Sequence, residues 1–135
     1  MPLFSFSGQR PDNLGVKQGK LLPCPNTPNC VCSQADASDQ EHSIEPITTN
    51  QAPGDAIATL KAIIEGMERS QINEATDNYL YAEFASKLMG FVDDMEFYVE
   101  SGVIHVRSAA RLGKSDLGVN RKRVETIRAK FQADS

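Results

Sequence analysis

The sequence predicts an α+β fold, in which an antiparallel sheet of about four strands carries two helices on one face and follows a long irregular N-terminal arm. Three observations predict it: a proline-rich start without hydrophobic periodicity, two stretches with apolar residues at helical spacing, and a run of strands that pair through tight turns. The length of 135 residues and the content of 40% hydrophobic and 24% charged residues are those of one globular domain.

The overall charge and hydropathy exclude several classes of function. A formal charge of −4 and a sequence pI near 5.1 do not suit a dedicated nucleic-acid-binding protein, which needs a basic face. No apolar run reaches the roughly 18 residues that span a bilayer, and the stretch after Met1 lacks the basic and apolar regions of a secretory signal. We therefore expect a cytoplasmic protein with no nucleic-acid partner and no integral membrane segment.

The chain divides into two parts that form one structural unit. Residues 1–42 make the arm, which holds five of the seven prolines and all three cysteines. Proline fixes its own backbone and pushes the preceding residue towards extended geometry, so the arm is expected to have little regular structure. Residues 43–135 make the α+β domain.

Two helices are predicted by apolar residues at helical spacing. The first covers residues 53–69 and begins at Pro53, which suits the first helical position. The second covers residues 119–132, where Asn120 suits the N-cap. The apolar stripes consist of Ile57, Leu60, Ile63, Ile64 and Met67 in the first helix, and of Val124, Ile127 and Phe131 in the second.

The remaining regular segments are predicted to be strands. A short strand spans Ile44 to Ile47, and an extended piece covers residues 71–75. A meander of three strands follows at residues 79–87, 91–100 and 103–109. Alternating strands of this kind leave one face apolar, and we expect both helices to cover that face.

The second hairpin of the meander has a clear register. Residues 101–102 are Ser-Gly, a composition typical of a two-residue turn. Centring the pairing there sets Phe97 against Val106 on the apolar face and Glu96 against Arg107 on the polar one. A slip of one residue would move every side chain to the other face, so this register is the one we predict.

The first hairpin is assigned in the same way. A turn at residues 89–90, Met-Gly, would pair Ala82 with Phe97. It would also bring Glu83 beside Glu96 on the polar face. Both registers of the meander then place the apolar residues on a single face, as one buried side requires.

The polar face of the meander is the first candidate site. It brings Glu83, Glu96 and His105 near Arg107 in these registers. Neighbouring carboxylates raise one another's pKa, whereas a guanidinium lowers it, so Glu83, Glu96 and His105 are candidate catalytic residues for acid–base chemistry. The other interpretation, which we favour, is a solvated face whose cross-strand ion pairs each contribute about 0.2–1 kcal/mol, since antiparallel sheets commonly leave one face in water.

Asp93 is unusual because alternation places it on the apolar face, between Phe91 and Met95. A carboxylate there needs a partner, and arginines are plentiful after the last strand. Asp93 is therefore either half of a buried ion pair, which we favour, or an acid with a shifted pKa in a cleft. The residues that we expect in structural ion pairs are Asp93, Asp94, Asp116 and Arg123.

The segment 107–123 is the second candidate site. Three cations fall in the first turn of the last helix, where the helix dipole makes each unfavourable by about 0.3–1 kcal/mol. A bound anion would offset this cost, because the free amides of a helix N-terminus attract anions; nearby carboxylates of the protein are the alternative. The candidate ligand-binding residues are Arg107, Arg111, Lys114, Ser115, Asn120 and Arg121.

The three cysteines leave several states open. Cys24, Cys30 and Cys32 lack the paired spacing of a zinc site, although with His42 they could supply four ligands. An odd count without an export signal argues against a disulfide framework. We expect reduced thiols and no metal, with a Cys24–Cys30 disulfide and a zinc site as the alternatives.

Several stretches together resemble the family called domain of unknown function 1499. Members occur in bacteria, including cyanobacteria, and in plants, where some are similar to thylakoid-lumen proteins. Similar proteins usually carry a serine at the position of Cys32, and many have an N-terminal export or membrane segment. The resemblance therefore makes the periplasm or thylakoid lumen the alternative location if the natural N-terminus is longer. The stretches that carry it are residues 10–16, 24–31, 91–97 and, most specifically, 107–123.

The sequence leaves two functions open. The first is a small non-enzymatic module that binds an anionic ligand or a protein partner through the 107–123 segment. The second is a hydrolase-like or metal-assisted enzyme that uses the Glu, His and Arg side chains of the polar sheet face. No cofactor is implied by either, and the absence of a recognisable nucleophile–base pair favours the first.

Overall fold

The computed structural model of the chain describes residues 9–86, 91–112 and 118–134. Within these residues the fold is α+β, with two helices and an antiparallel sheet of six strands. Along the sheet the strand order is β1-β6-β5-β4-β3, and β2 also pairs with β6. The elements are β1 (Cys30–Cys32), β2 (Ile47–Thr48), α1 (Pro53–Glu65), β3 (Ser70–Ala75), β4 (Tyr79–Ala85), β5 (Val92–Glu100), β6 (Val103–Ala110) and α2 (Val119–Asp134).

The expected sheet of about four strands is too small, chiefly because the arm contributes a strand. Strand β1 pairs antiparallel with β6, with Val31 opposite Ser108. All three of its residues are buried, so it shows neither the alternation nor the length from which a strand is predicted. The strand expected at Ile44 to Ile47 is observed slightly later, as β2.

The helices differ from expectation at their ends. Helix α1 stops at Glu65 instead of residue 69, and Gly66 follows as its C-cap. Glycine costs about 1 kcal/mol relative to alanine inside a helix, so it is a natural stopping point. Helix α2 runs to Asp134 instead of residue 132.

The apolar core lies between the two helices and one face of the sheet. Helix α1 contacts β3, β4 and β5, whereas α2 contacts β6 and β1, and the helices contact each other. Leu60 and Ile64 of α1 and Ile127 and Phe131 of α2 are fully buried in one cluster with Phe97 of β5. Burial of each such side chain contributes about 1.5–3 kcal/mol, so this cluster holds the helices on the sheet.

The predicted register of the second hairpin is confirmed. Phe97 pairs with Val106 and Glu96 with Arg107. The turn at residues 101–102 includes Gly102 with φ of +80°, a left-handed conformation that glycine adopts without steric cost.

The predicted register of the first hairpin is wrong by two residues. Ala82 pairs with Met95, and Glu83 with Asp94. The N–H of Ser86 donates to the carbonyl of Phe91 at 2.7 Å, so four residues, not two, separate the ends of the hairpin. The expected turn at residues 89–90 lies outside the described part of the chain. Because the shift is even, the apolar residues still share one face.

The outer face of the sheet is covered, so the expectation of a solvated face is wrong. Tyr79 and Tyr81 of β4 are buried in a second apolar cluster with Leu21 of the arm. Leu14 and Val16, also from the arm, pack against this cluster. The arm therefore forms a layer over the outer face, opposite the helices.

His42 joins two turns of the arm. Its ring is 6% exposed; Nδ1 contacts a carboxylate oxygen of Asp39 at 2.8 Å and Nε2 contacts the carbonyl oxygen of Thr27 at 2.7 Å. The Asp39 carboxylate and the Thr27 carbonyl both accept hydrogen bonds, so this geometry suits the protonated imidazole, in which both ring nitrogens donate. These hydrogen bonds, with the Asp39 carboxylate the largest contribution, raise the pKa of His42 above its ordinary value.

We expect the free energy of unfolding to fall as the pH rises above about 6.5, the ordinary pKa of histidine. A pKa that is raised in the folded state contributes stability that is fully present below the unfolded value and is lost as the pH rises through the folded value. Urea denaturation from about pH 5.5 to about pH 8.5 should show this fall in the wild type, and His42→Gln should make it smaller. Burial also raises the pKa of Glu96, and its contribution, which has the same sign, should remain. His105→Gln, at the second of the two histidines, is the control; a fall as large in His42→Gln as in the wild type would contradict the assignment.

Candidate functional site

Alternation along the central strands places charged side chains under the arm. Strand β5 directs Asp94 and Glu96 to the outer face, and β6 directs Arg107 there. Glu83 of β4 lies opposite Asp94, and Arg111 follows the end of β6. With Arg10 from the arm, these residues make up what we call the outer-face cluster: Arg10, Glu83, Asp94, Glu96, Arg107 and Arg111.

Arg111 is the centre of the ion pairs in this cluster. Its Nε and Nη2 donate to the two carboxylate oxygens of Asp94, each at 2.9 Å, and this bidentate geometry is strong and directional. Nη2 also donates to Glu83 at 2.5 Å, and Arg10 donates to the same carboxylate at 2.7 Å. Burial alone would raise the pKa of Glu83, but the hydrogen bonds from Arg10 and Arg111 hold it below its ordinary value.

Glu96 is fully buried, and in the described structure it forms no ion pair with an arginine. One carboxylate oxygen, Oε2, accepts hydrogen bonds from the Gly15 amide at 2.7 Å and from the Tyr79 hydroxyl at 2.5 Å. The other, Oε1, has no hydrogen-bond partner among the described residues. Burial raises the pKa of Glu96, and the hydrogen bonds from Tyr79 and Gly15 only partly oppose the shift.

Arg107, opposite Glu96, is only 4% exposed. Its one hydrogen bond in the described structure runs from Nη2 to the carbonyl of Pro23, at 3.5 Å. Nε has no partner within the described ranges. Burial lowers the pKa of the guanidinium, although the nearby Glu96 carboxylate acts in the other direction. A buried cation with an unused donor is costly, so Arg107 is the least satisfied group of the cluster.

A cavity of about 390 Å³ opens beside Arg107, between the arm and the end of β6. We call it the arm pocket. Asp94, Arg107 and Arg111 supply its charged groups. Its apolar wall is formed by Pro11, Leu22, Pro23, Cys24, Pro25, Ala109 and Ala110.

A disulfide between Cys24 and Cys30 fixes one wall of this pocket. Cys24 lines the cavity, whereas Cys30 belongs to β1, which pairs with β6. The bond therefore ties the covering segment to the strand beside Arg107. The expectation of reduced thiols is wrong for this pair, and the bond uses two of the four ligands that the zinc alternative needs. Cys32 is a free, buried cysteine, and burial raises the pKa of its thiol.

Among the described residues, no three His, Cys, Asp or Glu side chains lie close enough together to hold a metal ion. His42, the fourth ligand of the zinc alternative, is held by Asp39 and Thr27 instead.

The three candidate catalytic residues do not converge. His105 lies opposite Tyr98, with a ring nitrogen 3.3 Å from Glu100. Glu83 faces Asp94, which in turn faces Ala109. Ala109 is four residues along β6 from His105, which corresponds to about 13 Å. Glu96 is fully buried between these positions.

The two arginines in the first turn of α2 contact acceptors of the protein itself. Arg121 donates to the carbonyl oxygens of Ser43, Glu41 and Gln40 at 3.0, 3.2 and 3.4 Å. Arg123 forms an ion pair with Asp93 at 2.7 Å and lies 4.7 Å from the centre of the Phe84 ring. The carboxylate on the apolar face is therefore matched by a cation from α2.

The predicted ligand-binding residues are thus divided between two places. Arg107 and Arg111 line the arm pocket. Asn120 is buried at the start of α2, where Oδ1 accepts a hydrogen bond from the Ser108 hydroxyl and Nδ2 donates to the Asn29 carbonyl. Lys114 and Ser115, and also Asp116 from the expected ion pairs, lie outside the described residues.

No pattern in the sequence indicates which groups of the arm reach the outer-face cluster. Gly15 and Pro23 act through their backbone, which no pattern of side chains reveals. Arg10 reaches the cluster from 73 residues away in the chain. The only available signal was the excess of arginine and acidic residues expected on one sheet face.

Together the fold and the site define a class of small α+β domain, in which a disulfide-tied arm covers a charged sheet face. A family model described as a protein of unknown function, DUF1499, matches residues 20–131, and the chain belongs to this family. The resemblance seen in the sequence is thereby confirmed. No curated protein matches the chain. The matched region includes every charged residue of the arm pocket, whereas Arg10 and Gly15 precede it.

None of the helices in the described ranges is long and apolar enough to cross a membrane.

Replacement of Arg111 by methionine should lower the free energy of unfolding by about 3–5 kcal/mol, because it leaves the buried Asp94 carboxylate without its cation. Urea denaturation measures this loss. Arg69→Met is the matched control: Arg69 pairs with the exposed Glu68, and such surface pairs contribute about 0–1 kcal/mol. Equal losses in the two variants would show that the Arg111 network contributes no more than a surface ion pair.

Proposed function

We propose that the protein is a non-enzymatic module that binds a small anionic ligand in the arm pocket. The observation that carries this proposal is the state of Arg107: a buried guanidinium lines a cavity, and its Nε has no hydrogen-bond partner in the described structure. A ligand that accepts from Nε would remove the cost of that unused donor. The guanidinium fork suits planar or tetrahedral oxyanions, such as carboxylates and phosphates.

The cavity has the size and lining of a small-molecule site. Its volume of about 390 Å³ falls in the range of roughly 300–1,000 Å³ that is usual for such pockets. An apolar wall of prolines and alanines surrounds a few charged groups, as in most ligand sites. Asp94 also lines the cavity, but it forms an ion pair with Arg111. It therefore repels an incoming anion less than an unpaired carboxylate would. A carboxylate on a protein partner would be recognised by the same guanidinium.

No observation favours the enzyme alternative to the same degree. Glu83 is held by two arginines, and His105 is remote from it. In a general acid–base pair, both side chains must reach the reacting atoms of one bound substrate. Glu83 and His105 lie too far apart to do so.

The disulfide also bears on location. Disulfides persist in oxidising compartments and are rare in the reducing cytosol. The Cys24–Cys30 bond therefore favours the periplasm or thylakoid lumen over the cytoplasm that the sequence led us to expect.

Titration calorimetry with acetate, sulfate and inorganic phosphate tests the binding proposal. We expect at least one of these probes to bind the wild type and to bind Arg107→Met about tenfold to a hundredfold more weakly, as loss of a charged hydrogen bond of about 1.5–3 kcal/mol implies. Arg107→Lys, which keeps the charge without the fork, should give an intermediate affinity and guards against misfolding of the methionine variant.

Arg121→Met is the matched control, because it removes a guanidinium from the start of α2 and leaves the arm pocket intact. We expect it to bind the probe like the wild type. If none of the three probes binds the wild type, or if binding is lost in Arg121→Met and kept in Arg107→Met, the proposed site is wrong.

A further inference from the structure

Glu96 is the acidic residue of the outer-face cluster that has no ion pair in the described structure. Glu83 pairs with Arg10 and Arg111, and Asp94 pairs with Arg111. Glu96 is fully buried, and its Oε1 has no hydrogen-bond partner among the residues that the structure describes. Protonation of this oxygen would break no contact seen in the structure, since the hydrogen bonds from Gly15 and Tyr79 both reach Oε2.

The groups around Glu96 come from four strands and the arm. Strand β6 supplies Arg107 directly opposite, and Glu96 shares its own strand and face with Asp94. Strand β1 supplies the buried thiol of Cys32. Strand β4 supplies the hydroxyl of Tyr79 and the paired Tyr81, and the arm supplies the Gly15 amide. Burial raises the pKa of both tyrosines and of the Cys32 thiol, so these three neighbours stay neutral and the charges that face Glu96 are those of Arg107 and Asp94.

The cluster is balanced when all its carboxylates are ionised, because it contains three guanidinium groups and three acids. An anion in the arm pocket would add a negative charge beside Arg107. Glu96 pairs directly with Arg107 across the two strands, and both side chains are buried. A bound anion and the Glu96 carboxylate would therefore share one guanidinium, and repulsion between two negative charges in a buried site favours the neutral form of the acid. Asp94 and Glu83 each form ion pairs with arginine side chains, so Glu96, which forms none in the described structure, is the group that can respond.

We propose that the arm pocket takes up its anion together with one proton, which binds to Oε1 of Glu96, and that its ligand is therefore a monoanion such as a small carboxylate. This inference rests on the proposed function of the pocket. The proton comes from solvent, so the net charge of the buried site is zero both when the pocket is empty and when it holds a monoanion. A dianion would leave one negative charge without compensation, and this difference favours a carboxylate over a doubly ionised phosphate.

Calorimetric titration of the wild type with acetate, in two buffers of different ionisation enthalpy, measures the number of protons taken up. At pH values where Glu96 of the free protein is ionised, we expect uptake of up to one proton for each acetate bound, and an affinity that falls by up to about tenfold for each further pH unit. This measurement needs no variant and therefore does not depend on whether a substituted protein folds. Inorganic phosphate, titrated in parallel, should bind more weakly than acetate where it is doubly ionised.

Glu96→Gln provides the second measurement, because the amide is neutral at every pH. We expect this variant to bind acetate with no proton uptake, with an affinity independent of pH, and at least tenfold more tightly than the wild type near pH 8. Glu100→Gln, the same substitution on an exposed position of β5, should keep the behaviour of the wild type.

The outcomes separate this inference from the proposed function. Acetate binding that requires Arg107 but involves no proton uptake and no dependence on pH would overturn the coupling and leave the pocket in place. Tighter binding of doubly ionised phosphate than of acetate would also overturn it. Binding of sulfate without binding of acetate would overturn the coupling and leave the pocket in place. If acetate, sulfate and inorganic phosphate all fail to bind the wild type at any pH, the proposed function and the coupling are both wrong.

Discussion

Asp93 and Asp94 lie on opposite faces of β5, and each is matched by a cation from another part of the chain. Asp93 points into the helical layer and meets Arg123 of α2, whereas Asp94 points to the outer face and meets Arg111. Removal of either cation would leave a carboxylate in a site that water reaches poorly. These two ion pairs therefore fix the positions of α2 and of the end of β6 relative to the central strand β5. The arm covers the outer-face cluster, to which Asp94 and Arg111 belong.

The face of each side chain in the central strands could be predicted from the sequence. The Ser-Gly turn at residues 101–102 fixed the register of β5 with β6, and alternation placed Asp93 on the inner face. The same reasoning misplaced β4 by two residues, because the period of two determines the face of a strand and not its position along the partner. Glu83 consequently meets Asp94 and not Glu96.

The position of the arm could not be predicted, because its contacts with the sheet leave no periodic pattern in the sequence. Gly15 and Pro23 act through main-chain groups, and the spacing of Cys24 and Cys30 is compatible with several chemical states. The arginines of the basic segment separate in the structure: Arg111 turns to the outer face, while Arg121 contacts carbonyls of the arm. Which cations remain available to a ligand depends on this three-dimensional arrangement.

A crystal soaked in bromide and measured at the bromine absorption edge would test the central claim most directly, because bromide is a monoanion with a strong anomalous signal. If the buried guanidinium of Arg107 is an anion receptor, an anomalous peak should lie in the arm pocket within hydrogen-bond distance of Nε. Peaks confined to the start of α2 beside Arg121, or scattered over the surface with the pocket empty, would contradict it.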